Sequence, residues 1–206
     1  MPEQFVFRSQ DDAARQYFYV PEVSRPAGAT TQWLCFRFRS AGMQRHSAAS
    51  HFAIALRAEL GFDADGQPIS ISGRGITWGD TSQAWAPPDN AFAVAPGFGG
   101  ARGAQVESFW AGGNFLYRQA RLLDQGLVDG TNYHVHLHVS DERWVAFWVL
   151  DDAGRPIDPA GHACVQDRAE HPVAPDRTGI VIALGRAPRE TGPWQAEFSE
   201  LEWGWF

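Results

Sequence analysis

Short stretches in which apolar and polar residues alternate recur along the chain, separated by clusters of Gly, Pro, Asn and Asp. A period of two places successive side chains on opposite faces of a strand, and few windows carry the period of about 3.6 that a helix needs. The pattern predicts strands near residues 3–8, 32–39, 51–60, 69–78, 104–110, 115–119, 132–139, 143–150, 178–186 and 194–206. Many short strands divided by turn residues call for an all-β fold, and the expectation is a two-sheet antiparallel β-sandwich with residues 1–206 forming a single domain. The one helical turn predicted lies at 11–16, where Asp-Asp-Ala-Ala-Arg-Gln follows Ser9, a candidate N-cap with Asp12 three residues on.

Turn chemistry repeats. Asp63-Ala64-Asp65-Gly66-Gln67-Pro68-Ile69 echoes Asp151-Asp152-Ala153-Gly154-Arg155-Pro156-Ile157, each directly after an apolar run, and both read as strand-ending turns. Asp63-x-Asp65 also fits the opening of a calcium loop, but the carboxylate that closes such a loop is missing, so a hairpin tip is expected. Residues 82–103, with Ala86-Pro87-Pro88 and Pro96-Gly97-Phe98-Gly99-Gly100, read as a long surface loop. Its Trp85, Phe92 and Phe98 either form the lip of a binding site or fold back over the sheet.

The most distinctive segment is Tyr133-His134-Val135-His136-Leu137-His138-Val139, where a period of two sends Tyr133, Val135, Leu137 and Val139 to one face and three imidazoles to the other. Trp144–Leu150 follows across Ser140-Asp141-Glu142-Arg143, which predicts an antiparallel hairpin. A two-residue loop at Asp141-Glu142 sets His138 opposite Val145, His136 opposite Phe147 and His134 opposite Val149; a loop one residue longer or shorter gives the histidines a common face with Trp144 and Trp148. Histidines at i and i+2 of a strand can chelate a transition metal, so His134 and His136 are candidate ligands. Any further ligand has to come from His46, His51, His162, His171 or a carboxylate, and no spacing selects one. Otherwise the imidazoles form a polar face or hydrogen-bond sugar hydroxyls, being both donors and acceptors.

Composition narrows the function. The net charge of -7 opposes a phosphate backbone, so nucleic acid is not an expected partner. All 17 basic residues are Arg, which excludes a Schiff-base lysine and a lysine-dependent phosphate loop. With 14 Phe and 9 Trp the chain has enough bulky apolar surface to fold without a staple. Cys35 and Cys164 are free to pair or stay reduced, Cys35 lying in the apolar run Trp33-Leu34-Cys35-Phe36. Neither a basic stretch followed by an apolar one near Met1 nor a run of about 18 apolar residues occurs, so no classical signal or membrane insertion is expected, and the localisation read is cytoplasmic or particle-associated unless export takes another route.

The order of segments adds a family likeness: His51–Glu59, Arg74-Gly-Ile-Thr-Trp78, Glu107-Ser-Phe-Trp110, Leu127-Val-Asp129-Gly130-Thr-Asn-Tyr133, the histidine hairpin and a closing Phe198-Ser-Glu-Leu201-Glu-Trp203. This resembles the concanavalin A-like lectin and glucanase superfamily, particularly its laminin-G-like members, where a dipeptide like Asp129-Gly130 precedes the Tyr or Trp that opens a hairpin. The resemblance implies a jelly roll of two curved antiparallel sheets with the terminal strands close together and a groove on the concave sheet. The acidic metal loop of legume-type lectins and the alternating Glu-x-Asp-x-x-Glu strand of the retaining glucanases are both missing. Arg57-Ala58-Glu59-Leu60 matches the Arg-x-Glu-Leu strand of jelly-roll alginate lyases, but their Gln-x-His and Tyr-x-Lys-x-Gly-x-Tyr strands do not follow.

The first functional expectation is therefore a non-catalytic, lectin-like module that binds a polysaccharide or glycan in the concave groove or at the loop rim, with no cofactor. Trp78, Trp85 and Trp110 are the candidate stacking platforms, since an indole offers a flat apolar face and a free N–H. Arg74, Glu107, Asn114, His134, His136 and His138 are the candidate hydrogen-bonding groups, whereas Trp33, Trp148 and Trp203 are expected in the core. The alternative is a glycan hydrolase or lyase acting through Glu107 or Glu59, and a further one is a structural subunit of a phage-like or surface particle that associates with itself or a protein partner.

Overall fold

The computed structural model describes residues 4–8, 16–42, 51–66, 68–79, 92–98, 127–157, 163–166, 176–186, 193 and 195–206. These form eleven strands: β1 (Gln4–Arg8), β2 (Tyr17–Val20), β3 (Thr31–Ala41), β4 (His51–Phe62), β5 (Pro68–Gly79), β6 (Phe92–Phe98), β7 (Asn132–Ser140), β8 (Trp144–Leu150), β9 (Ala163–Gln166), β10 (Gly179–Arg186) and β11 (Gln195–Trp205). They make two antiparallel sheets, one of six strands in the order β1-β11-β3-β7-β8-β9 and one of five in the order β2-β10-β4-β5-β6. The fold is the expected all-β, two-sheet jelly-roll sandwich, with the first and last strands paired from Gln4↔Ser199 to Arg8↔Gln195.

Alternation explains the core. Leu34, Phe36 and Phe38 of β3, Val135, Leu137 and Val139 of β7, and Val145, Phe147 and Val149 of β8 are buried, while the residues between them are half-exposed or exposed. They meet Ile54, Leu56, Ile76, Ile180 and Ile182 of the five-stranded sheet. Phe198 sits at the centre, its ring 5.5 Å from that of Phe36 and 5.3 Å from that of Phe38. A second buried set, Ala53, Ala55, Ala58, Leu60, Ile71, Val181 and Ala183, lies on the other face of the five-stranded sheet, with the half-buried Tyr19 packed against it.

Two turns confirm the repeated Asp-Gly chemistry. Gly66 has a φ of 74° and donates to the Asp63 carbonyl at 3.1 Å, and Gly154 has a φ of 73° and donates to the Asp151 carbonyl at 2.9 Å. The Asp63 and Asp151 carboxylates accept the N–H of Asp65 and Ala153, each at 2.9 Å, so both serve their own turns. Asp129-Gly130 ties the start of β7 to the end of β3, as Ser40 donates to Asp129 at 2.8 Å and Gly130 donates to the Ser40 carbonyl at 2.7 Å.

Three strands were not foreseen. β6 lies inside the stretch 82–103 expected to be loop, and pairs with β5 from Gly73↔Phe98 to Trp78↔Phe92. Its Ala, Pro and Gly residues have low strand propensity, and Pro96 is tolerated because β6 ends its sheet among the described residues. β2 and β9 are likewise terminal strands of only four residues. The strands expected at 104–110 and 115–119, and all but Gln16 of the helical turn at 11–16, lie outside the described residues.

Candidate functional site

The β7–β8 hairpin decides which residues share a surface. Ser140 and Trp144 are joined by a three-residue loop, Asp141-Glu142-Arg143, in which Arg143 takes a φ of 66° and donates to the Ser140 carbonyl at 3.0 Å. This is a type I turn closed by a left-handed residue, one of the hairpin geometries that match strand twist. His136 therefore pairs with Trp148 and His138 with Ala146, the second of the two registers open to the sequence. Together with Trp33↔His138 and Cys35↔His136 from β3, it lays Trp33, Cys35, the three histidines, Trp144 and Trp148 on the outer face of the six-stranded sheet. Trp33 and Trp148, expected in the core, are half-exposed on this face instead; Trp203 packs against the core as expected.

On that face His136 stacks on Trp148 at 5.1 Å, and His138 meets the edges of Trp148 at 4.7 Å and Phe206 at 5.2 Å. Burial, with the neighbouring His134, lowers the His136 pKa, and burial with His136 lowers that of His138. Both imidazoles are thus neutral near pH 7. Cys35 Sγ lies 2.9 Å from His136 Nδ1, and burial aided by the charge of Glu202 pushes the thiol up to about 11. The pair is a neutral thiol hydrogen-bonded to a neutral imidazole, the opposite of an activated thiolate. Cys164 sits on β9, three strand spacings from β3, or roughly 14 Å, which is beyond disulfide reach, and both cysteines are free.

At the end of this face the chain forms an open cleft of about 520 Å³ lined by Thr30, Thr31, His138, Ser140, Asp141, Glu142, Trp144, Ala146 and Phe206. Trp144 is 38% and Phe206 60% exposed. The walls are held by main-chain bonds: Thr30 and Thr31 both donate to the Phe206 carbonyl at 2.9 Å, Asp141 donates to the Thr30 carbonyl at 2.8 Å, and Trp144 donates to Ser140 Oγ at 3.2 Å.

Behind the cleft lies an ionic cluster. Arg57, only 4% exposed, donates to Asp141 Oδ1 at 2.6 Å and to the Thr30 carbonyl at 3.0 Å, while Arg25 pairs with Asp141 Oδ2. Both guanidinium groups lie over the Trp205 ring, at 4.5 Å and 4.8 Å. Burial alone would raise the Asp141 carboxyl, but the hydrogen bonds and charges of Arg57 and Arg25 outweigh it and hold it below the usual carboxylate range. Arg57 reaches this position from a β4 bulge, with a φ of 52° and its N–H donating to the buried Gln32 side chain at 2.8 Å.

The structure divides the residues expected to form one site. His134, His136 and His138 lie on the outer face of the six-stranded sheet, whereas Arg74, Trp78 and Glu59 belong to β4 and β5 of the other sheet. Arg74 is 6% exposed, with its charge close enough to be felt at Arg57, and is not offered to a surface ligand. Glu59 is ion-paired with Arg177 at 2.8 Å. In the lyase-like tetrapeptide, the Arg57 side chain is engaged with Asp141 and the Thr30 carbonyl, while Glu59 pairs with Arg177. Trp85, Glu107, Trp110 and Asn114 lie outside the described residues. No group of three or more His, Cys, Asp or Glu side chains suited to a metal occurs among the described residues, His134 and His136 included. Trp144, Ser140, Glu142 and Phe206 were not singled out from the sequence; the Trp-rich β8 start was visible, but only the hairpin register and the β11–β3 pairing bring it to Phe206.

No protein-family model matches the chain, and no curated protein matches it. Among solved structures it is similar to peanut lectin (14% identity, 98% of this chain and 99% of that one, TM-score 0.43). It is also similar to a legume lectin-like domain from Entamoeba histolytica (11%, 85% and 72%, TM-score 0.47) and to the alginate lyase AlyC3 (15%, 98% and 75%, TM-score 0.49). These likenesses concern the arrangement of strands, and function has to come from the site.

Proposed function

We propose that this chain is a non-catalytic carbohydrate-recognition module that binds a glycan in the cleft at the β7–β8 hairpin. The observation that carries this reading is the cleft itself, where two exposed aromatic rings, Trp144 and Phe206, stand beside His138, Ser140, Thr30, Thr31 and Glu142. Flat apolar faces suit the C–H side of a sugar ring, and hydroxyl, imidazole and carboxylate groups around them suit its hydroxyls. This moves the sugar from the concave groove first expected to the end of the six-stranded sheet. Of the two side-chain carboxylates that line the cleft among the described residues, Asp141 is committed to Arg57 and Arg25, so a free carboxylate pair of the kind a glycosidase uses is not what supports a reading here.

The test is a glycan-array screen on the purified protein and on Trp144→Ala and Phe206→Ala, repeated with chelator and followed by a check for cleavage of bound sugars. Saturable binding that falls about tenfold in each variant, roughly 1.4 kcal/mol, is expected, without cleavage. Binding that survives in both variants removes the cleft, and cleavage lost on Glu59→Gln or Glu107→Gln establishes the enzyme reading. A chain that ignores glycans and self-associates at low concentration is a structural subunit instead.

A further inference from the structure

Strand register fixes where the two exposed rings of the cleft stand. Phe206 and Thr31 exchange both main-chain hydrogen bonds, at 3.0 and 2.9 Å, and Thr31 pairs with Ser140 on β7. Ser140 lies across the hairpin from Trp144, whose N–H donates to its Oγ at 3.2 Å. Phe206, Thr31, Ser140 and Trp144 thus form one row across β11, β3, β7 and β8, and all four line the cleft. With neighbouring strands about 4.8 Å apart, the main-chain positions of Phe206 and Trp144 are separated by roughly 14 Å. The Phe206 ring leans inward to 5.2 Å from His138, and Trp144 packs on no other ring among the described residues, so the two rings stand apart with hydroxyls between them. Ser140 Oγ accepts from Trp144 and keeps its own proton to donate. The row is not capped by its flanking strands: β1 pairs with β11 only from Gln195 to Ser199 and stops short of Phe206, and the Gln166 side chain beyond Trp144 is turned to the Glu142 carbonyl at 3.2 Å.

We propose, building on the glycan reading of this cleft, that its ligand is an internal run of a linear polysaccharide laid across the strands, with one sugar unit stacked on Phe206, another on Trp144, and the hydroxyls between them met by Thr31 and Ser140. A single sugar reaches one ring at a time, because the rings are held apart by main-chain pairing. Linked units reach both, and the second contact then forms within one complex, so affinity rises with chain length until both rings are covered. A row left open at either end lets the chain enter past one ring and leave past the other.

The experiment is isothermal titration of the wild-type chain, Trp144→Ala and Phe206→Ala with cello-, xylo-, manno- and laminari-oligosaccharides of one to six units and their soluble parent polymers. In a series that binds, the trisaccharide is expected to bind about tenfold more tightly than the monosaccharide, with little gain beyond the tetrasaccharide and no loss in the polymer. Either substitution should remove the length dependence: the trisaccharide falls about tenfold, toward the monosaccharide, which itself weakens by no more than about twofold because the other ring remains. A monosaccharide within about twofold of the trisaccharide in the wild-type chain, a polymer that fails where its trisaccharide binds, or a length dependence intact in either variant overturns the inference. If none of the four series binds while other glycans bind in a Trp144-dependent manner, the linear-chain assignment falls and the cleft stands; if no glycan binds at all, both fall.

Discussion

Replacing Asp141 by Ala tests the ionic cluster at its centre. The change removes the carboxylate that accepts from Arg57 at 2.6 Å and from Arg25, leaving the 4%-exposed Arg57 guanidinium with the Thr30 carbonyl and the Trp205 ring among its contacts. Breaking a fully buried ion pair costs about 3–5 kcal/mol. Asp141 is 37% exposed, so solvent can rehydrate part of the cluster and the expected loss is that of charged hydrogen bonds, about 1.5–3 kcal/mol. With a urea dependence of about 2.5 kcal/mol per molar, the unfolding midpoint should drop by roughly 0.6–1.2 M at pH 7. Arg155→Ala, which removes an exposed pair with Asp151, serves as the control and should leave the midpoint unchanged. In an Arg57→Met background the Asp141 change should cost much less, because the charge it strands is gone. The sign with pH is fixed: a carboxyl whose pKa is depressed by folding stabilises above its unfolded value and loses that contribution as pH falls through the folded one. The wild-type advantage over Asp141→Ala should then persist to about pH 4 and vanish below it. A midpoint no lower than that of Arg155→Ala at pH 7 refutes the assignment.

Three further outcomes follow from the same coordinates. The lowered pKa values of His136 and His138 mean that the unfolded chain takes up protons first, so stability should be full above about pH 6.5 and fall on acidification toward pH 5; a flat urea midpoint over that range contradicts their burial. Iodoacetamide near pH 8, followed by peptide mass analysis, should modify the exposed Cys164 well before Cys35, whose neutral thiol is half-buried against His136, and equal rates count against that pairing. Gly75→Ala puts a Cβ onto the Ile54 carbonyl of the neighbouring strand and should cost more than about 3 kcal/mol or prevent folding, whereas Gly154→Ala meets nothing within 4 Å and should cost only the left-handed penalty of about 1–2 kcal/mol.

Much of the fold was legible because the chemistry was local. Tyr133, Val135, Leu137 and Val139 alternate with polar residues, and the two Asp-Gly turns carry their own conformational requirement, so strand, inward face and turn could be read directly. β2, β6 and β9 escaped because short terminal strands are specified by the neighbours they pair with rather than by their own composition, as Ala-Pro-Gly in β6 shows. The candidate site was legible only in part. The histidine face was visible, but whether Trp148 joined it depended on one loop residue, Arg143 in its left-handed conformation. Placing Arg57 between the sheets required a bulge and a positive φ that no periodicity encodes, so where its guanidinium goes could not be read from the tetrapeptide Arg57-Ala58-Glu59-Leu60.

The cluster and the cleft are two sides of one loop. Asp141 is fixed by Arg57 from the opposite sheet and by its own N–H to Thr30, while the next residue presents Glu142 to solvent and the preceding one supplies Ser140 to the cleft and to the Trp144 N–H. A hairpin tip without such an anchor would have to be ordered by its ligand, at about 0.5–1.5 kcal/mol for each side chain immobilised. The ionic cluster removes that cost in advance, holding the cleft walls in place before any ligand arrives. On the proposed glycan reading, Asp141→Ala should therefore weaken binding several-fold even though both Asp141 oxygens face arginines, and the loss should appear as a less favourable binding entropy. Calorimetry of the variant with a glycan selected on the array by the wild-type chain distinguishes this from direct contact, which would instead remove enthalpy; an affinity equal to wild type would show that the loop is rigid without its anchor.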